Sequence, residues 1–212
     1  MVDQPQRALR ADAERNRLAI IRAAETVLAT EGTGVTLERI AIAAKVGVGT
    51  IYRRFSSVEE LVAIVFEQKM TQYAERSEAA AALSLDHPRE AFDSYVRYIL
   101  EEQAADLAFS DVILNPERGT DVFRAQLARA HTASHTLVDR ARQAKAIRAD
   151  FDHGDLYLLI VANAGLIRGT RHSAPEAWRR FGDYMLLAFH SEDGQPTTVP
   201  SAHPVADGTQ DG

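Results

Sequence analysis

Residues 36–61, TLERIAIAAKVGVGTIYRRFSSVEEL, constrain the fold more than any other stretch of the chain. Thr36 can cap a helix, because its hydroxyl can accept from the free N–H groups of the first turn. Leu37, Ile40, Ala41 and Ala44 recur at three- and four-residue spacing and give that helix one apolar face. Ala43 and Ala44 are small enough for a second helix to cross closely. Val46, Gly47, Val48 and Gly49 interrupt the pattern, and the glycines permit a sharp reversal. Residues 50–55 then read as a short helix with Ile51 and Phe55 pointing one way. Thr50, Tyr52, Arg53 and Arg54 are left on its other faces. Two helices joined at a steep angle by a glycine-bearing turn make a helix-turn-helix. In that unit the second helix enters the major groove while the first crosses the backbone.

The outward residue types suit DNA. Arginines pair bidentately with phosphate or guanine, and Thr and Tyr hydroxyls suit phosphate oxygens. Ser56 and Ser57 offer a second cap before a long helix whose N-terminus could hold a phosphate. Packing alone accommodates the same residues, since any small helical hairpin buries Ile, Val and Phe in this way.

The stretch resembles the signature of the tetracycline-repressor (TetR) family of transcription regulators. The resemblance lies in Ile40, Ala41 and Ala44, the turn Val46-Gly47-Val48-Gly49, the run Thr50-Ile51-Tyr52-Arg53-Arg54-Phe55, Ser57, and Glu59-Glu60-Leu61. Lys45 stands where the family usually has glycine, so it must take a conformation that glycine adopts more cheaply. Val58 stands where the family often has a lysine that reaches a phosphate. The resemblance implies a DNA-binding transcriptional regulator, a repressor released from a palindromic double-stranded operator by a small-molecule effector. Thr36, Thr50, Tyr52 and Arg54 would hold phosphates, with Ser57 at the next helix start. Val48, Gly49 and Arg53 would meet base edges or flanking backbone. Effector binding would tilt the helix over residues 57–83 and change the spacing of two heads.

The net charge of −6 is unusual for a DNA binder, but its distribution matters more. Residues 1–57 carry nine Lys/Arg against six Asp/Glu, a net +3, which leaves −9 for the remainder. A basic head on an acidic body fits a regulator with separate DNA and effector parts. The chain has no cysteine, which excludes disulfides, cysteine-ligated zinc and cysteine nucleophiles and is compatible with a reducing cytoplasm. No apolar run approaches the roughly 20 residues that cross a bilayer, and the first residues lack an apolar signal core. A cytoplasmic protein without membrane association is expected.

No period-2 strand pattern and no internal repeat is present, so the expected class is all-α with about nine helices. A polar arm over residues 1–15, with Arg7, Arg10, Arg15 and Arg17, precedes a first helix capped by Asp12 or Asn16. That helix ends at Gly32 and Gly34 and completes a three-helix head over residues 1–57. Residues 58–190 form a helical effector-binding and dimerisation body. A plain loop is expected over residues 115–119. The last stretch, 191–212, is rich in Gly, Pro, Ser, Thr and Asp and is expected to be a disordered tail.

Two terminal helices, read over residues 155–168 and 175–189, are apolar around much of their circumference, which calls for burial on several sides. Ala162, Gly165 and Gly169 would let a partner helix approach. A homodimer through these helices is expected, and the family resemblance implies the same. Effector-pocket candidates are Met70, Tyr73, Tyr95, Phe109, Phe123, His131 and Asn163, inward-looking apolar or aromatic groups with a few polar handles. His131 and His135, four apart, could face one metal, but no third ligand has a fixed spacing, so no metal and no cofactor is expected. A Gly-rich phosphate loop, a zinc motif and a Gly-x-Ser-x-Gly elbow are all missing, and enzymatic activity is not expected. The remaining alternative is a helical interaction module whose helix-turn-helix only packs.

Overall fold

The computed structural model describes residues 4–115 and 120–190, and for residues 4–12 the backbone alone. Among the described residues there are nine helices and no strand: α1 (Gln4–Glu31), α2 (Leu37–Ala44), α3 (Val48–Tyr52), α4 (Val58–Leu83), α5 (Pro88–Ala105), α6 (Leu107–Leu114), α7 (Asp121–Gln143), α8 (His153–Thr170) and α9 (Ala177–His190). The chain is all-α. It divides into two compact units, Met1–Arg76 with Glu102–Ala130 and Ser77–Glu101 with His131–Gly212.

In the first unit, α1 begins at Gln4, well before Asp12 or Asn16. Residues 6–17 are dominated by Arg, Ala, Leu, Glu and Gln, which favour helix, and Pro5 lies in the first turn, where its missing N–H is tolerated. The expected arm is therefore helical backbone from Gln4 on. The side chains of Arg7 and Arg10 lie outside the described residues. Arg17 sits 3.6 Å from Glu14 one turn back. Ile20, Ala24, Val27 and Leu28 form the buried stripe of α1, while Leu18 is exposed. Gly32 ends the helix at φ 80°, donating its N–H to the Leu28 carbonyl at 2.8 Å.

α1 packs on α2 and on α6, and α2 packs on α3. Thr36 caps α2, its Oγ1 accepting from the Arg39 N–H at 3.2 Å. Lys45 closes α2 in the left-handed region, φ 56° and ψ 38°. Its N–H reaches the Ile42 carbonyl at 3.1 Å, and the Val46 N–H reaches that of Ala41 at 3.0 Å. This is a Schellman closure with lysine in the glycine position. The turn is then residues 45–47. The Gly47 carbonyl accepts from Thr50 and Ile51, at 2.8 and 3.3 Å, and opens α3. Val48 and Gly49 thus belong to the second helix rather than to the break, and α3 ends at Tyr52 instead of running to Phe55. The N–H groups of Arg54 and Phe55 both return to the Ile51 carbonyl at 2.9 Å.

Leu37, Ile40, Ile51, Phe55, Leu61 and Phe66 join the α1 stripe among the buried side chains. Buried and half-buried polar groups in this unit are matched, as desolvation requires. Asp111 on α6 accepts from the N–H and the hydroxyl of Thr33, at 2.9 and 3.1 Å. Asp106 caps α6 through the Ala108 N–H at 3.0 Å and pairs with Lys69 on α4. The Gln103 amide donates to the Ser110 hydroxyl at 2.9 Å.

In the second unit, α8 packs on α9. Phe92, Phe151 and Phe189 meet edge to face, with centroids 4.8 to 6.2 Å apart. Asp152 and Asp155 form a reciprocal capping box, which starts α8 at His153, two residues earlier than expected. Lys145 repeats the left-handed closure at the end of α7, φ 57°. A β-carbon on Gly182 would stand 2.6 Å from Leu100 Cδ1, so α9 approaches α5 at a point where any larger residue requires the Leu100 side chain to shift. Residues 116–119, within the expected loop, and the expected tail over residues 191–212 lie outside the described residues.

Candidate nucleic-acid interface

α3 turns Ile51 inward, fully buried, and Phe55 just beyond it is buried as well. Its opposite side carries Val48, Gly49 and Tyr52, all exposed, with Arg53 and Arg54 exposed beyond the helix end. Thr50 is half-buried, and its Oγ1 lies 3.4 Å from the Arg53 guanidinium. The fold therefore spends Ile51 and Phe55 on packing and leaves Val48, Gly49 and the donors of this short segment outside. Arg53 and Arg54 bring two fixed positive charges suited to phosphate or guanine.

Thr36 is exposed at the α2 start. The Ser57 hydroxyl accepts from the Glu60 N–H at 3.3 Å and caps α4. Glu60 folds back and accepts from the N–H and hydroxyl of Ser56, at 2.7 and 2.9 Å. The α4 N-terminus thus already faces a carboxylate, which favours that end of the helix electrostatically. Arg39 is held in a fork by Glu31, with contacts of 3.2 and 2.5 Å.

One contact was not legible in the sequence. The Tyr52 hydroxyl donates to Glu38 Oε1 at 2.5 Å, tying α3 to the outer side of α2. The Tyr52 hydrogen bond, then the residue's own backbone N–H, then Thr36, lower the Glu38 pKa below the usual carboxylate value. The same bond raises the Tyr52 phenol above its ordinary value. Glu38 and Tyr52 are 14 residues apart, and no spacing rule links them.

The effector-pocket candidates fall into both units. In the first, Met70, Tyr73, Phe109 and Phe123 are buried, and the Tyr73 and Phe109 rings meet edge to face at 5.5 Å. Phe123 borders a small cavity together with Val58, Val62, Ala63 and Val112, with Thr33, Glu59, Asp111 and Asn115 as its polar lining. In the second, Tyr95 and Asn163 are buried and His131 is half-buried. The Tyr95 hydroxyl lies 3.1 Å from that of Ser77. His131 and His135 do gain a third imidazole, His153 at the start of α8. Its ring stacks on His135 with centroids 3.7 Å apart, and its Nε2 lies 2.8 Å from the Ser134 hydroxyl. Among the described residues no group of three such side chains is arranged to hold a metal ion. Among the described residues no helix is long and apolar enough to cross a membrane.

α8 and α9 leave an apolar face uncovered. Leu158, Val161, Tyr184 and Leu187 are 61, 41, 54 and 67% exposed. A β-carbon on Gly165 or Gly169 would meet nothing within 4 Å.

An all-helical chain with an exposed helix-turn-helix is a DNA-binding transcriptional regulator in architecture. Residues 20–65 match the family model for bacterial regulatory proteins of the tetR family. Residues 87–181 match the model for the C-terminal domain of SbtR-like transcriptional regulators. The chain belongs to the tetR family. Among solved structures, the SmeT–triclosan complex is similar at 21% identity and a TM-score of 0.51, covering 90% of this chain and 99% of that one. A HlyIIR mutant protein is similar at 12% identity and a TM-score of 0.52, covering 84 and 98%. A TetR regulatory protein from Mycobacterium vanbaalenii is 29% identical, with a TM-score of 0.44 and 83 and 98% covered. No curated protein matches the chain.

Proposed function

We propose that the protein is a homodimeric repressor that binds a palindromic operator and is released by a small-molecule effector. The observation that carries this reading is the outer face of α3 and its C-terminal end, where Val48, Gly49, Tyr52 and Arg53 are exposed while Ile51 packs inside. Thr36, Thr50, Tyr52, Arg54 and Ser57 are the proposed backbone contacts. Val48 would touch a thymine methyl, Gly49 would allow close approach and Arg53 would meet base edges or flanking backbone. Residues 1–57 form the DNA-binding head in this reading, and residues 58–190 the body that binds effector and partner.

The uncovered face of α8 and α9 supports pairing through the last two helices. A two-fold pair presents two recognition helices to a symmetric site. The SmeT structure of the same fold is a complex with triclosan, which supports small-molecule control of such a fold. The effector would lie among the body helices, with Met70, Tyr73, Tyr95, Phe109, Phe123, His131 and Asn163 as candidate contacts. It would tilt α4 and alter the spacing of the two heads. The protein is expected to act in the cytoplasm without enzymatic activity.

The test is binding to the promoter region beside the protein's own coding sequence, measured across salt concentrations. A regulator loses affinity as a steep power of salt, with a slope near −0.9 for each phosphate neutralised. Binding that is absent or flat with salt would leave only a packing role for the helix-turn-helix. Replacing Tyr52 with Ala should weaken operator binding.

A further inference from the structure

Glu38 is an acid placed where the proposed interface is otherwise built from donors. Its carboxylate lies on the outer side of α2, against Tyr52 on the exposed face of α3. Arg39, its neighbour in sequence, is engaged by Glu31 and points its guanidinium there. The negative charge is therefore left close to the surface that would meet DNA.

A phenol has one proton to give. Tyr52 gives it to Glu38 at 2.5 Å. What the pair then presents outward is lone pairs, from the phenol oxygen and from the rest of the carboxylate. Phosphate oxygens present lone pairs too, so the pair in this arrangement repels backbone rather than binding it. In the major groove the complementary groups are the exocyclic amines, N4 of cytosine and N6 of adenine. Adenine sets its N7 acceptor beside the amine, guanine offers only N7 and O6 acceptors there, and thymine offers O4. A carboxylate is repelled by each of those acceptors and meets none on cytosine itself.

We propose that Glu38 is a specificity-determining residue, selecting cytosine at one position of each half-site by accepting from its N4 amine. This rests on the DNA-binding reading above, and it adds a base-selective contact from α2 to those of α3. Tyr52 acts here as a positioning residue, holding the carboxylate against the recognition helix; its one proton goes to Glu38, so this role takes the place of the phosphate contact proposed for Tyr52 above.

The experiment is selection of binding sites from random duplex DNA by the full-length protein, by Glu38→Ala and by Glu38→Gln. Wild type should enrich sites with one cytosine per half-site whose replacement weakens binding roughly 5- to 150-fold, the range for one good base contact. Glu38→Ala should lose preference at that position alone, with its salt dependence unchanged. Glu38→Gln should shift the preference toward adenine, because a carboxamide can pair with N6 and N7 together. Enriched sites identical in wild type and both variants would overturn the proposal. So would a uniform tightening of Glu38→Ala on every sequence, which would mean that the acid only repels backbone. Failure of wild type to enrich any site would overturn the DNA-binding reading itself, and this proposal with it.

Discussion

Leu187 on α9 tests the proposed pairing directly, because it is 67% exposed within its own chain. Fully burying a leucine side chain contributes about 1.5–3 kcal/mol. Two-thirds of that, about 1–2 kcal/mol, is the most that Leu187 can still gain by meeting a partner. A two-fold interface uses the residue twice, which doubles the effect to about 2–4 kcal/mol. Alanine keeps the β-carbon, so the lower half of the range applies to Leu187→Ala. The dimer should dissociate about 30- to 140-fold more readily, since each 1.4 kcal/mol is a factor of ten. Sedimentation equilibrium over a concentration series reads this constant. The helix within one chain should be unharmed, since alanine is the best helix former, so circular dichroism should not change. An unchanged dissociation constant in Leu187→Ala, repeated in Leu158→Ala, would refute pairing through this face.

Lys45→Gly should raise thermal stability by about 0.5–1 kcal/mol, because a left-handed non-glycine residue costs about 1–2 kcal/mol and glycine's extra chain entropy returns part of it. A lower melting temperature would contradict the Schellman closure. Gly182→Val should destabilise by about 1–3 kcal/mol through overpacking, since its β-carbon would start 2.6 Å from Leu100 Cδ1. Urea denaturation measures the loss, and a neutral result would mean that α9 sits further from Leu100. The Tyr52 phenol should titrate above its ordinary value in an absorbance or NMR titration and fall toward that value in Glu38→Ala. Its raised pKa means that the bond contributes fully below the ordinary phenol pKa and is lost as pH rises through the raised one. The lowered Glu38 pKa means that the contribution is present above the ordinary carboxylate pKa and is lost as pH falls through the lowered one. The bond should therefore persist across neutral pH, and an unshifted Tyr52 would show that it does not form.

Local rules made much of the head readable before any coordinates. The Thr36 cap, the apolar spacing of Leu37, Ile40 and Ala41, and the division of Ile51 and Phe55 from Tyr52 and Arg53 depend on residues within one or two turns. The left-handed conformation of Lys45 was legible only through the family resemblance, from a lysine standing where the family usually has glycine. Helix ends were less legible. α1 starts at Gln4 because high-propensity residues extend it past every capping candidate, and α3 takes in Val48 and Gly49 because the Gly47 carbonyl opens it.

Sequence by itself determined the helical class, the short segment whose polar side chains face solvent and the apolar character of the last two helices, since each follows from periodicity and residue type along a single element. Tertiary structure alone decided that Glu38 meets Tyr52, that His153 stacks on His135, that Gly182 faces Leu100, and which side of α8 and α9 stays uncovered. Those contacts join residues from different elements. Which side chains meet across two helices depends on how the helices cross, and no local spacing along the chain encodes that angle.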